Sequence, residues 1–301
     1  MTFWNDFFFK LSSPNPMAVV RIGLAFIFFV WLIVAFQSAD TWYGGNVDAI
    51  VSLEQARLML PPFTISLLTV FKPDSLFLQV FMSLGLLASL TLLVGWHSRI
   101  SAILCFVILE SLMHRNPFIL SSSDELMSQM FFYVLISNSG LGLSFDSRNR
   151  NLDSSNKVSP WAQRLLQIQI CIVYLQTFWF KVVQPDWQSG NVIYYVLRTK
   201  EIANFPLPDF IANSPEICRY LTWTALLMEL IIPVLIWWSP IRRIVMFLAI
   251  LFHLSMEYCL TIPFFQPLMI VGLLSFAEDE DYRKIASFFK PRSISPKPVK
   301  D

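Results

Sequence analysis

The chain has few charged residues: lysine, arginine, aspartate and glutamate together make up 14% of its 301 residues. An ordinary soluble domain carries roughly 25%, so this composition argues against a soluble globular protein. The charges nearly cancel, to a net charge of +1, and no basic tract occurs. Nucleic acid is therefore not expected as a partner.

Cysteine is also scarce, and its placement excludes a disulfide framework. The chain has four cysteines, all in or beside apolar stretches and none in a CxxC pair: Cys105, Cys171, Cys218 and Cys259. Thiols in such positions are typical of small buried side chains.

Apolar residues make up most of the chain. Hydrophobic residues make up 55% of the chain, with 28 Phe and 10 Trp, and the mean hydropathy is +0.56. A helix needs about 20 mostly apolar residues to cross a bilayer. Eight stretches are candidates: Met17–Gln37, Leu76–Val94, Arg99–Met113, Glu125–Leu141, Leu165–Val183, Ile217–Trp238, Ile241–Tyr258 and Thr261–Phe276.

These stretches predict an all-α, polytopic membrane protein with about eight transmembrane helices, seven being the alternative. The third stretch is short, and the fourth is interrupted by the polar residues 137–140. The last two are separated by only a few residues and predict a tight hairpin. The first lacks a small-residue cleavage site, so we expect a retained helix rather than a signal peptide.

Positive charges separate between the two sets of loops and so predict the orientation. One side holds Lys10, Arg99, Arg148, Arg150, Lys157, Arg164, Arg242, Arg243 and the basic residues of the tail. The other side holds Arg57, Lys72, Arg115, Lys181, Arg198, Lys200 and Arg219. The richer side is expected to be cytoplasmic, so both termini are predicted there. Arg21, just inside the first helix, is expected to snorkel to that side.

The domain organisation follows from the polar segments. Residues 1–278 form one transmembrane domain, predicted as two four-helix halves joined by the polar linker 146–160. Residues 279–301 form a charged cytoplasmic tail, expected to be disordered beyond Lys290. The large outer connections are 38–75 and 184–216, the first with an amphipathic piece, Leu53–Met59, ended by two prolines.

Polar residues within or beside the spans gather toward the outer side, and ionisable groups at that depth are costly unless they are functional or paired. They predict one outward-facing groove, lined by Glu110, His114, Asn116, Asp124, Lys181, Asp186, Trp187, Glu229, His253 and Glu257.

Each of these residues also has a purely structural interpretation. His253 and Glu257 lie four residues apart on one helix face; they are either a buried hydrogen-bonded pair or a proton relay. A metal site is disfavoured, because third and fourth ligands have no clear candidates. Glu229 precedes Pro233 and is expected to be protonated or paired, either at a structural kink or in contact with substrate.

Two further residues keep both interpretations. Asp124 follows three serines and precedes an apolar run, so its carboxylate is expected to cap the fourth helix, a role compatible with binding. Lys181 closes the fifth helix, as an interfacial anchor or, if desolvated, as a base.

A set of motifs spread from residue 17 to about 276 carries a family resemblance. They are Arg21-Ile22-Gly23, Ser98-Arg99-Ile100-Ser101, His114-Arg115-Asn116-Pro117 with Asp124, Val173-Tyr174 through Lys181, Asp186-Trp187, Gly190 with Tyr194-Tyr195, Glu229-Leu230 with Pro233, and Phe252-His253. In order and spacing the chain resembles the horizontally transferred transmembrane (HTTM) domain, the membrane domain shared with vitamin K-dependent gamma-carboxylase.

The resemblance implies a lysine base that deprotonates a reduced naphthoquinone, whose oxygenation gives an epoxide and a strong base for carboxylation of glutamate. The family's catalytic lysine is the second of two adjacent lysines before Asp-Trp. Here Lys181 occupies the first position and Val182 the catalytic one. Asp124 stands near the position of a histidine of the carboxylase, and no large extracytoplasmic domain like that of the carboxylase is expected in these 301 residues.

Three hypotheses for function follow. The first is an enzyme or enzyme relative that uses a membrane quinol such as menaquinol, with Lys181 as base and His253 and Glu257 as proton relay. The second is a non-catalytic accessory protein for maturation or export of a secreted peptide, as small bacterial members of the superfamily suggest. The third, a small-solute transporter, is disfavoured because no inverted repeat is evident. All three place the chain in a bacterial cytoplasmic (inner) membrane.

Overall fold

The computed structural model describes residues 2–45, 49–60, 64, 66–71, 73–149 and 157–288. The α-helices are α1 (Phe3–Phe9), α2 (Asn15–Phe36), α3 (Ala39–Tyr43), α4 (Leu53–Met59), α5 (Leu67–Val70), α6 (Ser75–Val94), α7 (Ser98–Met113), α8 (Ser122–Ile136), α9 (Phe145–Asn149), α10 (Trp161–Val182), α11 (Pro185–Ser189), α12 (Val192–Val196), α13 (Asp209–Ala212), α14 (Pro215–Leu235), α15 (Arg242–Cys259), α16 (Phe265–Leu274) and α17 (Asp279–Phe288). Two 3₁₀ helices, Pro117–Ile119 and Ser139–Leu141, and two isolated β-bridges, Ser12–Val158 and Ala203–Leu260, complete the regular structure of these ranges.

A helix forms at each of the eight apolar stretches, which confirms the all-helical class. Four of these helices, α2, α6, α10 and α14, are long and apolar enough to cross a bilayer, so the chain is a multi-pass membrane protein. Helices α7, α8 and α16 have 16, 15 and 10 residues, fewer than a perpendicular span requires. Helix α15 has 18 residues but includes three charged side chains. The total of eight spans and the side of the termini remain predictions.

Two of the eight predicted stretches extend more than three residues beyond the helix that forms there. Helix α8 stops at Ile136, where residues 137–140 supply hydroxyl and amide groups that compete with the helical backbone. Helix α16 starts at Phe265 rather than Thr261, because Phe264 adopts a left-handed backbone conformation with φ of 64°. Amphipathic helix α4 has the predicted bounds, whereas the two prolines after it lie outside the described residues.

The turn between α6 and α7 depends on a glycine. Gly95 ends α6 in the left-handed conformation, with φ of 74°, which glycine adopts without steric cost. A Cβ atom built at this position would lie 2.4 Å from the Arg21 Nη1 atom and 2.4 Å from Ser144 Cβ. The close approach of Arg21 therefore requires a residue without a side chain.

The prediction that Arg21 snorkels to the membrane surface was wrong, because this side chain is fully buried. Its guanidinium donates to Ser98 Oγ at 3.2 Å, to the Ser139 carbonyl at 3.4 Å and to the Leu143 carbonyl at 2.7 Å. These acceptors come from α7 and from the segment after α8. Arg21 thus joins three parts of the chain at one end of the helix bundle.

Helix α16 connects the two predicted halves of the domain. It packs against α15 and α10 of the second half and against α2 and α8 of the first half. Two amides of α10, those of Gln163 and Gln167, both donate to the Ser275 carbonyl at 2.7 Å. They satisfy a backbone oxygen at the end of α16 that would otherwise be unpaired in an apolar interior.

The division into halves at 146–160 and the limits of the tail stay predictions, since residues 150–156 and 289–301 lie outside the described part of the chain. The start of the predicted tail is a docked helix, α17. Arg242 Nη1 lies 2.6 Å from a Glu278 carboxylate oxygen, and Arg243 Nη2 lies 3.0 Å from one of Glu280. The Tyr282 hydroxyl donates to the Leu274 carbonyl at 2.7 Å.

Candidate functional site

Lys181 and Glu229 form an ion pair between α10 and α14. Lys181 lies in the last turn of α10, and Glu229 lies one turn before Pro233 in α14. The Glu229 side chain is 6% exposed and that of Lys181 is 24% exposed. The expectation that Glu229 is protonated or paired is met by this contact, which places an amine and a carboxylate together at the edge of the bundle.

Trp187 covers the same amine. Pro185 opens the short helix α11 directly after α10, and Gly190 ends it with a left-handed φ of 77°. This turn brings the Trp187 ring over Lys181, with the Nζ atom 5.0 Å from the ring centroid, within the range of a cation–π interaction. Asp186, on the same short helix, is exposed.

A row of hydrogen-bonded polar side chains connects α10, α15 and α16. The buried His253 ring lies between two partners: Nε2 is 2.5 Å from the Tyr174 hydroxyl, and Nδ1 is 2.5 Å from Gln266 Oε1. In the neutral ring, Nδ1–H donates to the amide oxygen and Nε2 accepts from the phenol. Both nitrogens are therefore occupied by residues other than Glu257, which instead lies one helical turn further on.

Tyr174 and Gln266, the two hydrogen-bond partners of His253, were not predicted as site residues. Gln266 lies in an apolar run, and a glutamine amide inside such a run is a signal for a buried polar contact. Tyr174 was noted only as part of a motif. The partners of His253 were not predictable, because the sequence alone does not show how α15 and α16 pack against α10.

Three buried polar atoms of these helices have no hydrogen-bond partner among the described residues: Glu229 Oε2, Glu257 Oε2 and Gln266 Nε2. A buried, unpaired polar atom costs free energy, so such atoms mark places where a ligand or water can bind. The two carboxylate oxygens are acceptors when ionised, and the Gln266 amide nitrogen is a donor.

Asp124 lies at a different place, in a cavity of about 590 Å³. Its carboxylate accepts from the Trp31 indole N–H at 2.9 Å, and from the Ser121 backbone N–H at 2.9 Å and hydroxyl at 2.8 Å. Asp124 and Ser121 form a reciprocal capping box at the start of α8. Asp124 thus takes part in the cap but does not hold the predicted N-cap position, which Ser121 occupies; the Asp124 carboxylate, at N3, accepts from the N-cap residue instead.

Four aromatic residues are among those that line the cavity around this carboxylate. Trp31, Trp42, Tyr43 and Phe264 line the cavity together with Asp124. Burial raises the pKa of the Tyr43 phenol, and the nearby Asp124 charge raises it further. Tyr43 is thus a neutral neighbour of the carboxylate.

Glu110 and His114 line a neighbouring cavity of about 410 Å³, together with Glu125 and Ser128. His114 Nδ1 lies 3.3 Å from a Glu110 carboxylate oxygen, and the Ser128 hydroxyl donates to Glu110. Glu110 and His114 are four residues apart, so their contact spans the last turn of α7.

Asn116 has a structural role in this region. Its amide donates to the Trp42 carbonyl at 3.1 Å, and its side-chain oxygen accepts from the Phe118 N–H at 3.2 Å. The buried Arg115 donates to the carbonyls of Gly44 and Val51. These contacts attach the segment after α2 to the end of α7.

The predicted site residues are thus distributed over three groups. Lys181, Glu229 and Trp187 form the first group, near His253 and its hydrogen-bond partners. Asp124 lies in the aromatic cavity. Glu110 and His114 lie in the neighbouring cavity. The hydrogen bonds and ion pairs described above join residues within each group. The single groove predicted from sequence remains a proposal, and the first group contains the ion pair between Lys181 and Glu229.

Comparison with known proteins identifies the family. The HTTM domain model matches residues 9–280, which is most of the chain. No curated protein and no solved structure gives a significant match. The match contains all the motifs noted above and every residue of the three groups. The chain therefore belongs to the HTTM-domain family, within the vitamin K-dependent carboxylase-like superfamily.

Proposed function

We propose that this protein is a membrane enzyme that removes a proton from a lipid-soluble quinol at the Lys181–Glu229 pair. The observation that carries the proposal is the ion pair itself, a half-buried amine against a buried carboxylate with the Trp187 ring over the amine. A buried ionisable pair at the end of a membrane helix is costly to maintain, and such pairs mark functional sites in membrane proteins.

The pair can supply a base by an internal proton transfer. When Lys181 gives its proton to Glu229, a neutral amine and a neutral carboxyl group remain. The amine then accepts the proton of a quinol hydroxyl: the O–H bond breaks, an N–H bond forms, and the quinolate stays beside the new ammonium group. A low-dielectric site strengthens the attraction between these two charges.

The unpartnered polar atoms support a ligand with hydroxyl groups. A quinol carries two hydroxyl groups, each a donor and an acceptor. Glu229 Oε2 can accept from one of them, and Gln266 Nε2 can donate to an oxygen. His253, held by Tyr174 and Gln266, positions the Gln266 amide, and Glu257 extends the polar row along α15.

The family resemblance extends the proposal to the next step. In the carboxylase, the quinolate reacts with molecular oxygen, and quinol plus oxygen gives quinone epoxide plus water. Menaquinol is the substrate expected in a bacterial membrane. We keep the eight predicted crossings of the inner membrane, counted over the full apolar stretches rather than the helices alone, with both termini in the cytoplasm, as the loop charges favour.

The test uses purified protein in lipid nanodiscs with reduced menaquinone and oxygen. Mass spectrometry measures quinone epoxide, and a separate equilibrium assay measures quinol binding. We expect epoxide from the natural protein, its loss in Lys181→Ala, and normal amounts in Lys200→Ala, which removes an exposed lysine of the next loop. A folded protein that binds quinol yet forms no epoxide would sink the oxygenase proposal.

The second candidate is an accessory protein for the maturation or export of a secreted peptide. The observation that favours it is Val182, which stands at the position of the family's catalytic lysine. The variant Val182→Lys separates the two functions. Epoxide formation gained only in this variant would show that the natural chain lacks the base and would favour the accessory function.

A further inference from the structure

The aromatic cavity at Asp124 has the composition of a site for an organic cation. Among the described residues that line it, Asp124 is the one with a full charge, and Trp31, Trp42, Tyr43 and Phe264 contribute ring surfaces. Aromatic faces attract ammonium groups through their quadrupole. A carboxylate adds a net negative charge, so the cavity favours a cation and disfavours an anion.

The carboxylate is fixed in place before any ligand arrives. It accepts three hydrogen bonds, from the Trp31 indole and from the backbone and hydroxyl groups of Ser121. All three donors are neutral, so the carboxylate charge has no cationic partner among these contacts. The start of α8 offsets part of that charge, and Asp124 is one of the residues that line the cavity of about 590 Å³.

The location of the cavity indicates where the cation comes from. Its wall includes Val34, Gln37 and Ser38, at the end of the membrane helix α2 and just beyond it. The end of a membrane-spanning helix lies at the level of the lipid headgroups. A cation that reaches this depth at high local concentration is the ammonium group of a phospholipid.

We propose that this cavity binds the ammonium headgroup of an ethanolamine-type phospholipid, with Asp124 opposite the charge and the rings of Trp31 and Trp42 around it. Lys181 and Glu229 are not among the residues that line the cavity, and the proposal does not depend on the quinol chemistry.

The test is native mass spectrometry of the detergent-purified protein titrated with defined lipids. Dioleoyl phosphatidylethanolamine is the probe, dioleoyl phosphatidylglycerol is the anionic comparator, and free ethanolamine is the soluble competitor. We expect the ethanolamine lipid to bind about tenfold more tightly than the glycerol lipid. Free ethanolamine should compete only at far higher concentration.

Two variants test the cavity itself. Asp124→Asn removes the charge, and Trp42→Leu removes a ring whose backbone contact with Asn116 is retained. Each is expected to weaken binding of the ethanolamine lipid about tenfold. The second variant keeps the test valid if loss of the capping box prevents Asp124→Asn from folding.

Matched controls are Asp209→Asn and Trp238→Leu, which change an exposed aspartate and an exposed tryptophan elsewhere. Both should bind like the natural protein. Equal binding of the two lipids, unchanged binding in Trp42→Leu, or free ethanolamine binding as tightly as the lipid would each overturn the proposal.

Discussion

Lys181 on α10 and Glu229 on α14 form an ion pair in which the carboxylate is the more deeply buried partner. The two residues are 48 positions apart in sequence. Their contact fixes the distance between two of the four helices that are long enough to span a membrane. The pair therefore has consequences for stability that can be measured without knowing the substrate.

Loss of either partner should destabilise the protein more than loss of both. Lys181→Met leaves Glu229 buried without its cation, and Glu229→Gln leaves the amine beside a neutral amide. We expect each single variant to lower the free energy of unfolding by about 2 kcal/mol, since the lysine is partly exposed. The double variant should lie closer to the natural protein. Thermal unfolding in detergent measures all three.

The control for this cycle is Lys200→Met, an exposed lysine, which should leave the unfolding temperature unchanged. A double variant as unstable as the sum of the two singles would show that the residues do not interact.

The hydrogen bond between Tyr174 and His253 should be detectable as a stability difference. Tyr174→Phe removes the hydroxyl 2.5 Å from Nε2 and leaves that nitrogen unpaired, at an expected loss of about 1–3 kcal/mol. Tyr195→Phe removes a hydroxyl from a residue that is 51% exposed and should cost close to nothing. Equal unfolding temperatures for the two variants would contradict the buried contact.

Gly95→Ala should disturb the attachment of Arg21. The added methyl group meets Arg21 Nη1 and Ser144 Cβ at 2.4 Å, on a backbone with φ of 74°. We expect a loss of about 1–3 kcal/mol from strain and displacement of the guanidinium. Ser83→Ala, at an exposed position of the same helix, is the control. The thermal midpoint in detergent reports both, and a neutral Gly95→Ala would mean that the turn relaxes freely.

The docking of α17 should weaken at low pH. Hydrogen bonds from Lys284 and Arg243 lower the pKa of the Glu280 carboxyl below its ordinary value of 4.5. A lowered pKa in the folded state means that the stabilising contribution is present above pH 4.5 and is lost as the pH falls through the lowered value. Amide hydrogen exchange, corrected for the intrinsic exchange rate at each pH, measures the result: the protection factors of α17 should be lower at pH 3 than at pH 6.

Salt provides an independent check of the same contacts. The Arg243 and Glu280 side chains are 53% and 61% exposed, so 0.5 M salt should screen their attraction. Exchange in α17 should then rise at pH 6, whereas exchange in α16 should stay constant. Uniform changes in both helices would indicate global destabilisation instead.

The apolar runs were sufficient to predict where the helices form, because a stretch of this composition can satisfy its backbone in a membrane only as a helix. Ends were harder to predict. Serine and asparagine stop α8 at Ile136, whereas Phe264 stops α16 on its N-terminal side through a backbone conformation that its side chain gives no reason to expect.

Partners were less predictable than helices. The residue types at Glu229 and His253 indicated buried polar groups, but the choice of Lys181 for one and of Tyr174 and Gln266 for the other depends on how α10, α14, α15 and α16 pack. Arg21 illustrates the same limit: its position near a helix end predicted snorkelling, and the acceptors that bury it come from residues more than 70 positions away.

The paired amides of Gln163 and Gln167 restrict how the second half of the chain can move. Both donate to one carbonyl, that of Ser275, from successive turns of α10. A displacement of α16 along α10 by one turn, about 5.4 Å, would break both bonds together, whereas a rotation about the Ser275 carbonyl preserves them. A pivot at this end is therefore the displacement of α16 that keeps both hydrogen bonds, and it would shift Phe265, at the far end of the helix, the most.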